Sequence, residues 1–478
     1  MENLILLTDS YKFTHWKQYP NGTTKVYSYL ESRGGKFDNT LFYGLQYFIK
    51  KYLSGKVVTD EKIRQAKKFV DSHLGPGFFN ENGWLHILEK HNGRLPIRIK
   101  AVPEGTSVKT GNVLVTVENT DPEVPWLTNY IETLLLEIWY PITVSTLSRE
   151  VKKLLVTYLK KTTSYDSEGI KNIVSFMLHD FGFRGVSSVE SAGLGGSAHI
   201  VNFLGTDTVV GILLAQEFYN TENPLAFSIP ASEHSTITSW TEPFEVKAFE
   251  NMLDQYPTGL VACVSDSFDI IRACRDYSGT ALKEKILSRD GRLVIRPDSG
   301  DPVQTLKQVF HILWDKFGGT VNEKGFKVLD PHVRVIQGDG ANYESIIEIL
   351  DMMVEEGFSV ENIAFGMGGA LLQKVDRDTQ KFAFKCSSIV IDGEEIEVRK
   401  NPIEINERGE RVTSFKKSKG GRLKLSHGYS SESNKIELMT IEHSHDEVND
   451  QLVEVFLDGY IQKEWTFEEI RERAQVEF

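Results

Sequence analysis

Three polar constellations in the 478-residue chain carry the residue types that group-transfer chemistry uses. They are His179-Asp180-Phe181-Gly182-Phe183-Arg184-Gly185, Ser228-Ile229-Pro230-Ala231-Ser232-Glu233-His234-Ser235-Thr236 and Ile295-Arg296-Pro297-Asp298-Ser299-Gly300-Asp301-Pro302. Gly205-Thr206-Asp207-Thr208 and Val264-Ser265-Asp266-Ser267 lie between them. A histidine beside a carboxylate, as His234 is beside Glu233, can act as a base, a metal ligand or a phosphate acceptor. It can equally be an ordinary loop histidine. No HxH or HExxH pattern accompanies it, so no protein ligands to a metal are assigned.

Asp207, Asp266, Asp298 and Asp339 each follow an apolar run. Aspartate there either caps a helix or, gathered at one mouth, binds Mg²⁺ through water or holds a cationic substrate. Four of them with glycine neighbours favour the second role. Arg184 and Arg296, with Arg377 and Lys385 later, add cations, and an arginine fork suits phosphate or carboxylate. Gly338-Asp339-Gly340 and Gly366-Met367-Gly368-Gly369 let backbone approach a phosphate before a helix. Phe181 and Tyr11 are aromatic rings set in polar motifs; they either sandwich a flat heterocycle or pack in a core. Together these residues point to an enzyme acting on a phosphorylated substrate with Mg²⁺.

The elements that must position them follow a rhythm. Apolar strand candidates end near Asp180, Asp207, His234, Asp266, Asp298, Asp339 and Gly366, at intervals of 27, 27, 32, 32, 41 and 27 residues. A (β/α)8 barrel averages about 31 residues per unit. Phe382–Ile391 is the candidate eighth strand. Helical periodicity fills the gaps, as at Thr208–Tyr219, Pro302–Phe317 and Tyr343–Glu356. An open doubly wound sheet also alternates strand and helix, but no GxGxxG marks the first turn, which favours the barrel. Chemistry then sits at the carboxyl ends of the strands.

Outside this region the pattern changes. Leu41–Leu53 and Thr59–Leu74 read as helices. Pro96–Val117 alternates and reads as antiparallel strands. Thr128–Leu159 reads as two helices broken at Pro141. The tail shows short strands at Glu394–Val398 and Leu452–Phe456 and a basic loop at Lys416–Arg422. The expected fold is α/β: a β/α barrel over residues 146–391, and a discontinuous α+β domain from residues 1–145 and 392–478.

Composition sets limits. Hydrophobic residues make up 40% and charged residues 25%, ordinary for a globular enzyme. A net charge of −13 argues against broad nucleic-acid or membrane-surface binding. Cys263, Cys274 and Cys386 form no CxxC and read as reduced thiols. The N-terminus lacks a basic region and a signal-length apolar core, and no apolar run approaches the roughly 20 residues of a membrane span. The expectation is a cytoplasmic protein with neither nucleic-acid nor membrane partner.

The motifs resemble the nicotinamide phosphoribosyltransferase family of type II phosphoribosyltransferases. The resemblance runs from Thr8-Asp9-Ser10-Tyr11-Lys12 and Phe42-Tyr43-Gly44-Leu45-Gln46-Tyr47, through Asn119-Thr120-Asp121-Pro122 and Trp139-Tyr140-Pro141-Ile142-Thr143-Val144. It continues through the barrel motifs to Leu371-Leu372-Gln373-Lys374 and Gly421-Arg422-Leu423. It implies formation of nicotinamide mononucleotide and pyrophosphate from nicotinamide and 5-phosphoribosyl-1-pyrophosphate in NAD salvage. It also implies Mg²⁺, and ATP hydrolysis coupled through a phosphohistidine at His234, beside Glu233. A homodimer with shared sites is implied, Tyr11 of one subunit and Phe181 of the other stacking on the base. Asp207 would contact the carboxamide. Arg184, Asp266, Arg296, Asp298, Gly338, Asp339, Gly368 and Gly369 would line the base, ribose and phosphate site. Arg33, Arg377 and Lys385 would hold phosphates. Ala262, Ala383, Phe183 and Gly420 depart from the family pattern. The alternative enzyme is a nicotinate phosphoribosyltransferase; the alternative class is a phosphoribosyl-binding barrel without turnover.

Overall fold

Runs such as Val261-Ala262-Cys263-Val264 and Leu293-Val294-Ile295 are too continuous for a strand with one wet face. They suit parallel strands covered on both sides. In the computed structural model they form such a sheet. Residues 3–222, 224–405, 409, 411–413, 418–431 and 433–477 are described; Lys416 and Lys417 of the basic loop lie outside them. The chain divides into two compact units, one of 1–146, 215–221 and 376–474, the other of 147–214, 222–375 and 475–478.

The second unit holds six parallel strands in the order Gly205–Thr206, Leu178–Asp180, Ile363–Met367, Val333–Gln337, Asp290–Arg296 and Thr258–Val264. By regular pairing this is a half-barrel. Its edges are joined through residues 227–231 by isolated parallel bridges, Gly205 to Phe227 and Ala231 to Ala262. The Thr206 N–H donates to Phe227 O at 3.0 Å and the Ala262 N–H to Pro230 O at 2.9 Å. All seven expected strand ends are therefore present, six on regular strands and one on this irregular segment. Inside, buried Ala262, Val294 and Ile336 pack with Phe181, Ile229 and Ala364.

Helices follow the strands. Val189–Ile200 and Val209–Phe218 approach backbone to backbone, because a Cβ on Gly211 would lie 2.7 Å from the Gly196 carbonyl carbon. Pro302–Phe317 starts at Pro302 behind Asp301, whose side chain accepts the Gln304 N–H. Tyr343–Glu355 starts behind Asn342, whose side chain accepts from Glu344 and Ser345.

The first unit is built on a seven-stranded antiparallel sheet. Its order is Glu394–Glu397, Phe382–Ile391, Thr23–Ser32, Val113–Asn119, Ile97–Ala101, Val453–Leu457 and Tyr460–Ile461. Phe382–Ile391 is thus not an eighth barrel strand: it pairs antiparallel with Thr23–Ser32. The chain returns to the first unit at Asp376 rather than at 392. Pro141 breaks no helix either. It is the third residue of Trp139–Thr162, where the absent N–H has no intrahelical partner to lose. The interruption lies earlier, between the short helices Leu127–Tyr130 and Glu132–Leu136 and that long one. No described helix is long and apolar enough to cross a membrane.

Candidate active site

The carboxyl ends of the parallel strands surround a cavity of about 840 Å³. Phe181, Arg184, Asp207, Arg296, Asp298, Gly338, Asp339, Gly368 and Gly369 line it, nine of the residues singled out from sequence. Gly340, read from sequence with Gly338 as part of a phosphate-approaching loop, also lines it, and Phe183, Gly185, Thr208, Ala341, Asn342, Ala370 and Lys374, none of them assigned a site role, complete the wall. Most are small residues or backbone at helix starts, which carry no chemical signature in sequence.

His234 opens the helix His234–Thr238, with Glu233 as its N-cap. The Glu233 N–H donates to Thr236 Oγ1 at 3.2 Å, and the Ser235 hydroxyl donates to the Glu233 carboxylate. Glu233 therefore holds the turn that presents His234. The imidazole Nε2 lies 3.1 Å from Asp266 Oδ1, and Nδ1 lies 4.0 Å from Asp298 Oδ2. Asp266 Oδ2 accepts the Asp298 N–H at 2.9 Å and the Ser299 hydroxyl. The Asp266 side chain is 4% exposed against 44% for His234, so a fixed carboxylate aims an accessible imidazole.

Arg296 reaches Asp298 Oδ2 at 3.5 Å through one terminal nitrogen and Ser232 O at 3.4 Å through the other. Its Nε is buried with no hydrogen-bond partner among the described residues. Burial raises the Asp298 pKa; Asp266 and Asp339 push the same way, while Arg296 and His234 oppose. At Gly338 a Cβ would lie 2.8 Å from Asp298 Oδ1, so any side chain there would displace the Asp298 carboxylate. At Gly369, in contrast, a Cβ would meet nothing within 4 Å.

Asp207 follows Gly205–Thr206 and does not cap the next helix. Thr206 Oγ1 takes the Thr208 N–H at 3.0 Å, while the Asp207 carboxylate accepts the Ser228 hydroxyl. Phe181 places its ring against the barrel interior; a Cβ on Gly366 would lie 2.0 Å from its Cε2. Ala262 packs in that same interior cluster. Beneath the mouth, buried Asp180 accepts the Gly182 N–H at 2.7 Å. Burial pushes its carboxyl up to about 6, with the Gly182 N–H and Thr208 opposing.

Arg33, Arg377 and Lys385 are not in this cavity. They line a separate one of about 540 Å³ in the first unit, with Glu132, Lys381, Ala383 and Lys400. Burial lowers the Lys385 pKa, and Arg33, Lys400 and Arg377 add to that while Glu132 opposes. Tyr11, 57% exposed, lies on the 3-10 helix Ser10–Lys17 of the first unit, its ring edge-on to His15. Gly420 accommodates the neighbouring Glu397–Arg399 pair: a Cβ would fall 2.2 Å from Glu397 Oε1.

Known proteins match this chain over its length. The nicotinate phosphoribosyltransferase (NAPRTase) family matches residues 176–451, and the nicotinamide phosphoribosyltransferase N-terminal domain matches residues 3–99. A nicotinamide phosphoribosyltransferase of Xanthomonas campestris pv. campestris is 50% identical over 480 aligned residues, covering 100% of this chain and 99% of that protein. One of Acinetobacter baylyi is 34% identical, covering 98% and 97%. Among solved structures, nicotinate-nucleotide pyrophosphorylase from Pyrococcus furiosus shares the fold at TM-score 0.57 and 15% identity, over 99% of this chain and 95% of that one. Human nicotinic acid phosphoribosyltransferase does so at TM-score 0.52 and 16% identity, over 98% and 93%. A barrel mouth rich in carboxylates, glycine and arginine is thus carried by a chain that belongs to the nicotinate phosphoribosyltransferase (NAPRTase) family, a phosphoribosyltransferase whose full-length relatives are named nicotinamide phosphoribosyltransferase.

Proposed function

We propose that the chain makes nicotinamide mononucleotide for NAD salvage, in the cytoplasm. The nicotinamide ring nitrogen attacks C1 of 5-phosphoribosyl-1-pyrophosphate; the C1–O bond breaks and pyrophosphate leaves with the electron pair. The observation that carries this choice of base is Asp207. Its carboxylate accepts the Ser228 hydroxyl and lines the cavity with Phe181. An ionised carboxylate only accepts hydrogen bonds, which suits the NH₂ of a carboxamide and opposes a second carboxylate. The Phe181 ring offers a face to the pyridine. Arg296, with its buried unpartnered Nε, and the open backbone at Gly368 and Gly369 suit phosphate groups.

Mg²⁺ fits the residues present. Asp298 is crowded by Asp266 and Asp339, and a cation offsets that crowding. Asp298 and Asp339 are the carboxylates that would hold it, largely through water, because Asp266 is already committed to His234, Asp298 and Ser299. Bound there, it would neutralise the pyrophosphate leaving group.

His234 is the proposed phosphoryl acceptor from ATP. In the tautomer that donates Nε2–H to Asp266, the lone pair lies on Nδ1. That nitrogen would form the N–P bond as the P–O bond to ADP breaks. The proposed assembly is a homodimer in which Tyr11 of one subunit closes the base site of the other. Arg33, Arg377 and Lys385 are the proposed phosphate contacts of the first unit. Product analysis with nicotinamide and nicotinate in competition tests the assignment. Preferential nicotinate mononucleotide formation would replace nicotinamide by nicotinate, and no pyrophosphate release with either base would leave a binding protein.

A further inference from the structure

We propose that His86, His91 and Asp121, in the first unit, bind a divalent transition-metal ion, with Zn²⁺ as the occupant. His86 lies on the helix Glu81–Lys90 and His91 is its C-cap. Residues five apart on a continuous helix do not share a face. Here the chain leaves helical geometry at His91, φ −110° and ψ 11°, and the two rings come within 6.0 Å. Asp121 follows the strand Val113–Asn119. One of its oxygens, Oδ2, lies 2.7 Å from His86 Nε2 and 2.6 Å from His91 Nε2. Ligand atoms from the three residues all fall within 4.8 Å of one another.

The carboxylate is fixed before any ion arrives. Its Oδ1 accepts the Glu123 N–H at 2.8 Å, and its backbone carbonyl accepts Asn119 Nδ2 at 2.7 Å. Oδ2 is thereby left to the imidazoles. Outer contacts of this kind orient metal ligands. The two imidazoles are 26% and 25% exposed and the carboxylate 14%, so an ion can enter and a water can complete its shell.

The donor set selects the metal. Two imidazoles and one carboxylate match Zn²⁺ and its transition-metal neighbours, whereas Mg²⁺ and Ca²⁺ prefer all-oxygen shells. Around a tetrahedral Zn²⁺ with bonds near 2.0 Å, ligand atoms stand about 3.3 Å apart. Opening each imidazole–carboxylate separation by roughly 0.6 Å therefore brings it to coordination distance. Three protein ligands leave the fourth position to water. The bound ion would clip the end of the helix Glu81–Lys90 to the turn at Asp121, well separated in sequence from the barrel motifs.

The test is equilibrium dialysis of chelator-stripped full-length protein against Zn²⁺ in excess Mg²⁺. One Zn²⁺ per chain is expected in the wild type and in His234→Ala, which removes the imidazole of the barrel mouth. Affinity should fall at least tenfold in His86→Gln and in His91→Gln. Asp121→Asn, which can retain the Glu123 contact, is the second variant should a histidine change unfold the protein. Co²⁺ bound to the wild type should give the visible absorption of a four- or five-coordinate N/O site and be displaced by Zn²⁺. No uptake by the wild type, equal uptake by the variants, or an octahedral Co²⁺ spectrum would overturn the proposal.

Discussion

Asp266 bonds His234 through one carboxylate oxygen, at 3.1 Å, and the Asp298 backbone through the other, at 2.9 Å. A single buried carboxylate thereby sets both the tautomer of the imidazole and the position of the next strand end. Asp266→Asn offers only one acceptor oxygen. If that oxygen keeps the Asp298 N–H, the amide NH₂ faces Nε2 and moves the imidazole proton to Nδ1. ATP-stimulated synthesis should then fall about 10²-fold or more, on the scale of lost acid–base positioning. His234→Ala should lose the ATPase altogether while keeping its fold. Parallel ATPase assays check this, and an Asp266→Asn enzyme with full ATP stimulation would exclude the positioning role.

The proposed preference for nicotinamide rests on Asp207. Two like charges about 4 Å apart repel by roughly 4 kcal/mol at an effective dielectric near 20, before relaxation. A third of that is roughly tenfold in binding. The wild type should therefore prefer nicotinamide strongly. Asp207→Ser should narrow the preference, weakening nicotinamide use and admitting nicotinate. The ratio of kcat/KM values for the two bases is the measurement; an unchanged ratio would refute the role.

Gly366 and Phe181 compete for one volume. Because a Cβ on Gly366 would lie 2.0 Å from the ring, Gly366→Ala must push Phe181 from its seat. Overpacking of this kind costs about 1–3 kcal/mol. A lower Tm and a raised KM for nicotinamide are expected together. A drop in Tm with KM unchanged would mean that the ring does not contact the base.

Asp180 makes stability depend on pH. Its ordinary value of 3.8 is raised by burial to about 6. The folded state therefore holds the proton more tightly than the unfolded chain. Between about pH 4 and pH 6 stability falls as pH rises, by up to ~3 kcal/mol from this group. Asp180→Asn stays neutral and can still accept the Gly182 N–H. In urea unfolding, the variant should gain on the wild type as pH rises through that window. A difference that does not vary with pH would show that Asp180 ionises without cost.

The proposed sharing of sites between subunits is tested by mixing. A Tyr11→Ala subunit paired with a Phe181→Ala subunit should recover part of the activity that each homodimer lacks, since one composite site is whole. A fully active monomer by light scattering would remove the need for a partner's Tyr11.

Local pattern was sufficient for the ends of the parallel strands. Short apolar runs followed by a polar residue, such as Val261-Ala262-Cys263-Val264 before Ser265 and Leu293-Val294-Ile295 before Arg296, mark strands covered on both sides. Seven such runs also determined that Asp207, Asp298 and Asp339 would line one cavity, because a parallel sheet delivers every strand end to the same side. What local pattern does not contain is pairing between distant segments. Phe382–Ile391 reads as a strand wherever it is placed, and only long-range hydrogen bonding to Thr23–Ser32 assigns it to the other sheet. Residues 227–231 close the barrel by isolated bridges, since Pro230 has no N–H for a regular ladder. Whether Asp207 caps a helix or faces the cavity is not written in its local pattern: its carboxylate meets the hydroxyl of Ser228, 21 residues on. Arg33, Arg377 and Lys385 carry the same charges in sequence as Arg184 and Arg296, yet tertiary packing gathered them into a different cavity. His86 and His91 are separated by four residues, within the H-x3-5-H spacing of zinc ligands, but only a C-cap and a turn bring Asp121 to them, and no periodicity encodes that meeting.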